Sequence, residues 1–123
     1  GAEEDMILTI KSLAGPGIDF ETISRKPATA APFEGAAVDA IRRAVDAEDP
    51  GAVVLPYLNS AGTDAKGFAV LPDGRRINYY GCTPLRLPAD FDFINLFHGV
   101  DERVPVGSLV FGAKVVDHIL QEA

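Results

Sequence analysis

Cysteine occurs once in this 123-residue chain, as Cys82. A single thiol excludes an intramolecular disulfide framework and fits a reducing compartment, so the cytoplasm is the expected location. Long hydrophobic runs are missing as well. None approaches the roughly 18 residues that a membrane-spanning helix needs. The opening GAEED has neither the basic start nor the apolar centre of a secretion signal, and its leading Gly1 is the kind of residue an expression vector leaves behind. Cations are in short supply, with 11 Lys and Arg against 18 Asp and Glu, a net charge of −7 and a pI near 4.6. Phosphate backbones demand concentrated Lys and Arg, and the pairs Arg42, Arg43 and Arg75, Arg76 are too small to supply them, so a nucleic-acid partner is excluded. Histidine is scarce too, with only His98 and His118. No internal repeat and no low-complexity segment interrupts the chain.

What is present is the ordinary material of a globular protein, 47% hydrophobic and 24% charged, in a length that favours one core. The stretch EEDMILTIKSL places Met6, Ile7, Ile10 and Leu13 on one helical face, with acids in the first turn where the helix dipole favours them, and Gly15, Pro16 and Gly17 end it. IDFETI then alternates as a short strand. SRKPATAAPFEG is a connector punctuated by Pro27 and Pro32, each of which biases the preceding residue toward an extended conformation. EGAAVDAIRRAVDAED is the clearest helix, since Ala37, Ala40, Ile41, Ala44 and Val45 share a face. The continuous apolar run AVVLPYL reads as a strand covered on both sides. NSAGTDAKGFAVL is a polar turn entering a short helix, DGRR a turn, INYYGCT a strand, and VGSLVFGAKVVDHILQEA a closing helix. Helices and strands thus alternate, and the expected fold class is α/β, a mainly parallel sheet flanked by helices.

Two stretches carry candidate chemistry. In NSAGTDAK, residues 59 to 66, the backbone around Ala61 and Gly62, the Thr63 hydroxyl, the Asp64 carboxylate and the Lys66 amine follow an expected strand, where ligand crevices form in open α/β sheets. The plainer reading is that Thr63 or Asp64 caps the next helix. In LFHGVDERV, residues 96 to 104, His98 stands between an apolar run and a glycine; it can be a metal ligand, a general base or a hydrogen-bonded structural residue. Only His118 and Cys82 accompany it as soft ligands, at no zinc spacing, so a complete site within the chain would have to recruit carboxylates. His118, near the end of the last expected helix, reads as structural or solvated, and Cys82 as a small buried residue. Glu3 and Glu4 sit at a helix start, where acids suit the dipole, and are given no catalytic role.

Together PYLNSAGTDAKGF, YYGCTPLRLPADFDFINLFHGVDERVPV and the final helix resemble the C-terminal region of the aminoacylase, carboxypeptidase and dipeptidase family of zinc-dependent metallopeptidases. The likeness covers most of residues 30 to 123 and lies in the order of its parts: a Gly-Thr-Asp loop, a tyrosine-bearing segment ending in proline, a Phe-His-Gly-x-Asp-Glu-Arg run, then a helix. The resemblance implies a catalytic α/β domain holding two zinc ions, and a smaller lid that often mediates dimerisation. Residues 1–28 would be the last helix and strand of that lid, and 29–123 the C-terminal part of the catalytic domain. His98 would be one zinc ligand, with Asp101, Glu102 or, equally, a backbone carbonyl as a partner for its other nitrogen. Gly62, Thr63 and Asp64 would line the substrate site, and the substrate would be a peptide or an N-acyl amino acid.

The departures set the extent of that expectation. The family's early His-x-Asp motif, bridging aspartate and paired glutamates have no counterpart here, and Ala61 stands where a second glycine is common. The expected entity is therefore the tail of a hydrolase, inactive alone, that associates with the rest of the enzyme or forms a homo-oligomer. The alternative is a stand-alone α/β module for binding or oligomerisation.

Overall fold

The computed structural model describes residues 2–26, 28–59 and 61–122. Gly1, the Pro27 of the connector and the Ser60 of the 59–66 loop lie outside the described residues, as does Ala123. The chain divides into two units, Gly1–Ala30 and Ala31–Ala123.

In the first unit, helix α1 (Ala2–Ala14) carries Glu3, Glu4 and Asp5 in its first turn and Lys11 in its last, the arrangement that the helix dipole favours. Gly15, at φ +80°, closes it with an N–H bond to the Lys11 carbonyl at 3.3 Å; a glycine takes this left-handed position without steric cost. The chain then returns, pinned by Arg25, whose Nε and Nη2 donate to the two Glu3 carboxylate oxygens at 2.9 and 3.2 Å. The Lys11 amine lies 5.9 Å from the Phe20 ring centre. Met6, Ile10 and Leu13, three of the four residues of the expected apolar face, are nevertheless exposed.

The second unit is organised by two helices, α2 (Ala36–Glu48) and, at its end, α4 (Val106–Gln121), which pack on each other. Their buried residues are Val38, Ala40 and Ala44 from α2 with Ser108 and Val115 from α4. Asp49 closes α2 through its N–H to the Val45 carbonyl at 2.8 Å, and the Asp46 side chain accepts from Gly51. Ser108 is buried because its hydroxyl has a partner, the Arg86 carbonyl at 2.5 Å, which ties the segment around Arg86 to α4. Gly112 serves the same approach, since a Cβ there would stand 2.6 Å from the Pro84 carbonyl oxygen. Between α4 and Thr83–Leu85 runs an open groove of about 480 Å³, lined by Leu109, Ala113, Val116 and Leu120. A 3₁₀ turn spans Asp64–Phe68, and the four-residue α3 spans Phe93–Leu96. The Asp73–Gly74 turn closes on an isolated antiparallel bridge between Val70 and Arg76. Among the described residues no helix is long and apolar enough to cross a membrane.

The expected mainly parallel sheet is overturned. Among the described residues there is no sheet, and neither IDFETI, AVVLPYL nor INYYGCT forms a strand. The likeness of fold to a zinc-peptidase catalytic domain preceded by a lid helix and strand falls with it. A strand exists only where a neighbour satisfies its backbone donors and acceptors. Here the helices that were to cover a sheet pack on each other instead. Val53, Leu55, Tyr57 and Leu58, read as doubly covered, are 77%, 74%, 85% and 78% exposed. The apolar run was a signal for burial, and the cover that it calls for is not formed by the described residues.

Candidate functional site

His98 stands on a turn whose construction begins six residues earlier. Asp92 caps α3: its carboxylate accepts from the Asn95 N–H at 3.4 Å and from the Asn95 side-chain amide at 2.8 and 3.1 Å. The Phe97 N–H closes the helix on the Phe93 carbonyl at 3.0 Å, and the Gly99 N–H returns to the Leu96 carbonyl at 2.9 Å. A Cβ on Gly99 would lie 3.1 Å from the Leu96 oxygen and 3.2 Å from that of Asn95, so glycine is what allows the chain to close so tightly. The left-handed conformation falls on His98, at φ +58°, the one non-glycine residue with positive φ among those described. It does so although a glycine, which would adopt it at no steric cost, is next in the chain.

The imidazole is held by rings. Its centre lies 4.3 Å from that of Phe97 at an interplanar angle of 49°, and Phe97 in turn is 5.4 Å from Phe93. His98 is exposed, and among the described residues no hydrogen bond engages either of its nitrogens. Asp101 and Glu102, the expected partners of the second nitrogen, organise the turn instead. The Asp101 carbonyl accepts from the Arg103 guanidinium at 3.1 Å, and the Glu102 N–H donates to the Gly99 carbonyl at 3.3 Å.

The second candidate stretch is built differently. The Thr63 hydroxyl accepts from the Ala65 N–H at 3.3 Å and caps the 3₁₀ turn, and the Asn59 side chain accepts from the Ala61 N–H at 2.9 Å. Two of the polar groups read as substrate contacts thus have local partners, the plainer of the two expectations for Thr63. Gly62 has open space around it, and Asp64 is exposed. Among the described residues no hydrogen bond, ion pair or ring contact joins Gly62, Thr63 or Asp64 to His98.

His118 is structural. Its Nε2 lies 3.2 Å from one Glu48 carboxylate oxygen, and the Lys114 amine lies 3.2 Å from the other. The Lys114 hydrogen bond, with His118 second, holds the Glu48 carboxyl below its ordinary pKa against the opposing effect of desolvation. This clasp joins α2 to α4, and sequence spacing gave no hint of a contact 70 residues apart. Cys82 is exposed, contrary to the buried reading, but partial covering of its thiol raises its pKa and keeps it protonated.

A free, exposed imidazole fits one ligand position on zinc. A structural site needs four and a catalytic site about three protein ligands. Among the described residues no group of three or more His, Cys, Asp or Glu gathers. Comparison with protein-family models, with curated proteins and with solved structures returns no match. The likeness to zinc-dependent hydrolases rests on the residues quoted for it.

Proposed function

We propose that this chain is the C-terminal portion of a zinc-dependent hydrolase that cleaves amide bonds of peptides or N-acyl amino acids. It contributes one metal ligand, His98, to a centre whose other ligands lie outside these residues. The observation that supports this most directly is the presentation of His98: left-handed, exposed and, among the described residues, without a hydrogen bond on either nitrogen. A histidine serving only the fold gains by burial or by a partner, as His118 does with Glu48. When bound, zinc supplies Lewis acidity toward a carbonyl and a water acidified toward neutrality. The loop at Gly62, Thr63 and Asp64 is assigned to the substrate side on the resemblance alone. The setting is the cytoplasm, in keeping with the single thiol.

Zinc titration of the chain by calorimetry, with His98→Ala beside it, tests the assignment. Weak binding by the chain, abolished in the variant, is expected. In the longer parent enzyme the same substitution should remove zinc and amidase activity together; undiminished zinc content and turnover in that variant would overturn the ligand role.

The exposed residues Val53, Leu55, Tyr57 and Leu58 also favour a second reading, a stand-alone module for binding or oligomerisation. An upstream reading frame containing a His-x-Asp motif decides for the hydrolase, and a stop codon directly upstream for the module.

A further inference from the structure

The second unit leaves two apolar surfaces uncovered. One is the run of Val53, Leu55, Tyr57 and Leu58, which leaves the end of α2 where the Ala52 N–H bonds to the Asp49 carbonyl at 3.0 Å. The other is the groove of about 480 Å³ between α4 and Thr83–Leu85. Between Leu109 and Val116 its lining on α4 consists of Gly112 and Ala113, whose lack of bulk leaves the room, and Leu109, Val116 and Leu120 are exposed to solvent. The chain's own run does not fill its own groove, since none of residues 52 to 58 lines it.

The two surfaces agree in length and in charge. Extended at about 3.3 Å per residue, Val53 to Leu58 spans about 17 Å. Along α4, at about 1.5 Å per residue, Leu109 to Leu120 also spans about 17 Å. Pro56 biases Leu55 toward the extended conformation that this fit needs. Residues 52 to 58 carry no charge. Among the described residues of the groove lining Asp117 is the one charged group, and its carboxylate accepts from the Gln121 side-chain amide at 2.7 Å. A net charge of −7 repels like copies, so two of them approach best where charge is absent.

We propose that the groove takes the 52–58 run of a second copy, and that two copies exchange runs to form a closed two-fold dimer. Each copy brings one run and one groove, so a reciprocal exchange covers both surfaces of both copies and leaves none to extend a chain of molecules. The area suffices: apolar side chains of this kind bury about 60–120 Å² each. Two runs together then bury about 500–1,000 Å², and with the grooves that receive them about 1,000–2,000 Å², the range of stable interfaces. This inference goes beyond the role given to His98 and does not rest on it, since it holds for a hydrolase tail and for a stand-alone module alike.

The experiment is sedimentation equilibrium of the whole chain between about 1 and 100 µM, with Leu55→Asp to spoil the run, Val116→Asp to spoil the groove, and an equimolar mixture of the two variants. Leu55 is 74% and Val116 44% exposed, and neither belongs to the buried α2–α4 contact, so helical circular dichroism should be retained in both. The unaltered protein is expected to approach twice its chain mass of 13.0 kDa. Each variant alone should lose the dimer, because both of its contacts are spoiled. The mixture should recover it in part, because the intact groove of Leu55→Asp receives the intact run of Val116→Asp. Association kept by Val116→Asp alone would mean that runs pair with runs, and association kept by Leu55→Asp alone that the run is not involved; either overturns the proposal. So does a mixture as monomeric as its components. An unaltered protein that stays monomeric overturns the dimer and gives both surfaces to a different molecule, and mass growing past the dimer overturns the closed exchange.

Discussion

His98 combines a backbone cost with a chemical opportunity, and substitutions can separate the two. A left-handed L-residue costs about 1–2 kcal/mol relative to its preferred conformation, whereas glycine adopts φ +58° freely but brings a larger loss of entropy on folding. His98→Gly is therefore expected to leave the stability of the second unit unchanged or to raise it by about 1 kcal/mol, measured by urea denaturation, while abolishing zinc binding. A loss of more than about 1 kcal/mol would mean that the ring stack contributes more to the fold than the backbone costs. The histidine was legible in the sequence as a residue between an apolar run and a glycine. Its left-handed backbone was not, because the neighbouring glycine is the obvious candidate for that conformation. The Asp92 and Asn95 pair that caps α3 could have been read from its spacing of three, a cap signature obscured by the short element that follows.

At the level of elements, the three long helices follow from apolar periodicity and terminators, and α1, α2 and α4 lie where that pattern places them. Strands differ in kind, since a strand is defined by a partner that local sequence does not specify. AVVLPYL shows the consequence: its composition demands cover, but no described residue pairs with it as a neighbouring strand. The contacts that hold the helices together were equally invisible, because they join residues far apart in the chain. One such contact, and one between α4 and the 83–85 segment, yield predictions. Glu48 is held below its usual pKa in the folded state by Lys114 and His118. A depressed carboxyl contributes stability that is fully present above its unfolded value, about 4.3, and is lost as pH falls through the folded value. Between pH 5 and 3 the unaltered protein should lose more stability than Glu48→Gln does, as denaturation curves at each pH will show; equal losses would remove the clasp from the account. Gly112→Ala places a Cβ at 2.6 Å from the Pro84 oxygen, so α4 and the 83–85 segment must separate. That substitution should cost about 1–3 kcal/mol by overpacking although alanine is the better helix former; a stabilised variant would show that the segment yields freely.

For the molecule as a whole the decisive quantity is the cover available to apolar residues. Among the described residues of the second unit, burial of hydrophobic side chains reaches only Val38, Ala40, Ala44 and Val115, while Val53, Leu55, Tyr57 and Leu58 stand in water within one seven-residue stretch. Their exposure is not offset by charge, since residues 52 to 58 contain none. Burial of such side chains is worth roughly 25 cal/mol per Å² of apolar surface removed from water, which favours association whenever a second surface is within reach. Sedimentation velocity between about 1 and 100 µM is therefore expected to show mass rising with concentration, in the range where interfaces of modest affinity fill. The double variant Val53→Asp, Leu55→Asp should reduce that association while the helical circular dichroism of α2 and α4 is retained, because neither side chain belongs to their buried contact. A monodisperse monomer throughout the range would show that the exposed run does not drive association. Unchanged association in the variant would move the contact elsewhere, with the exposed α4 residues Leu109, Val116 and Leu120 as the next surface to alter.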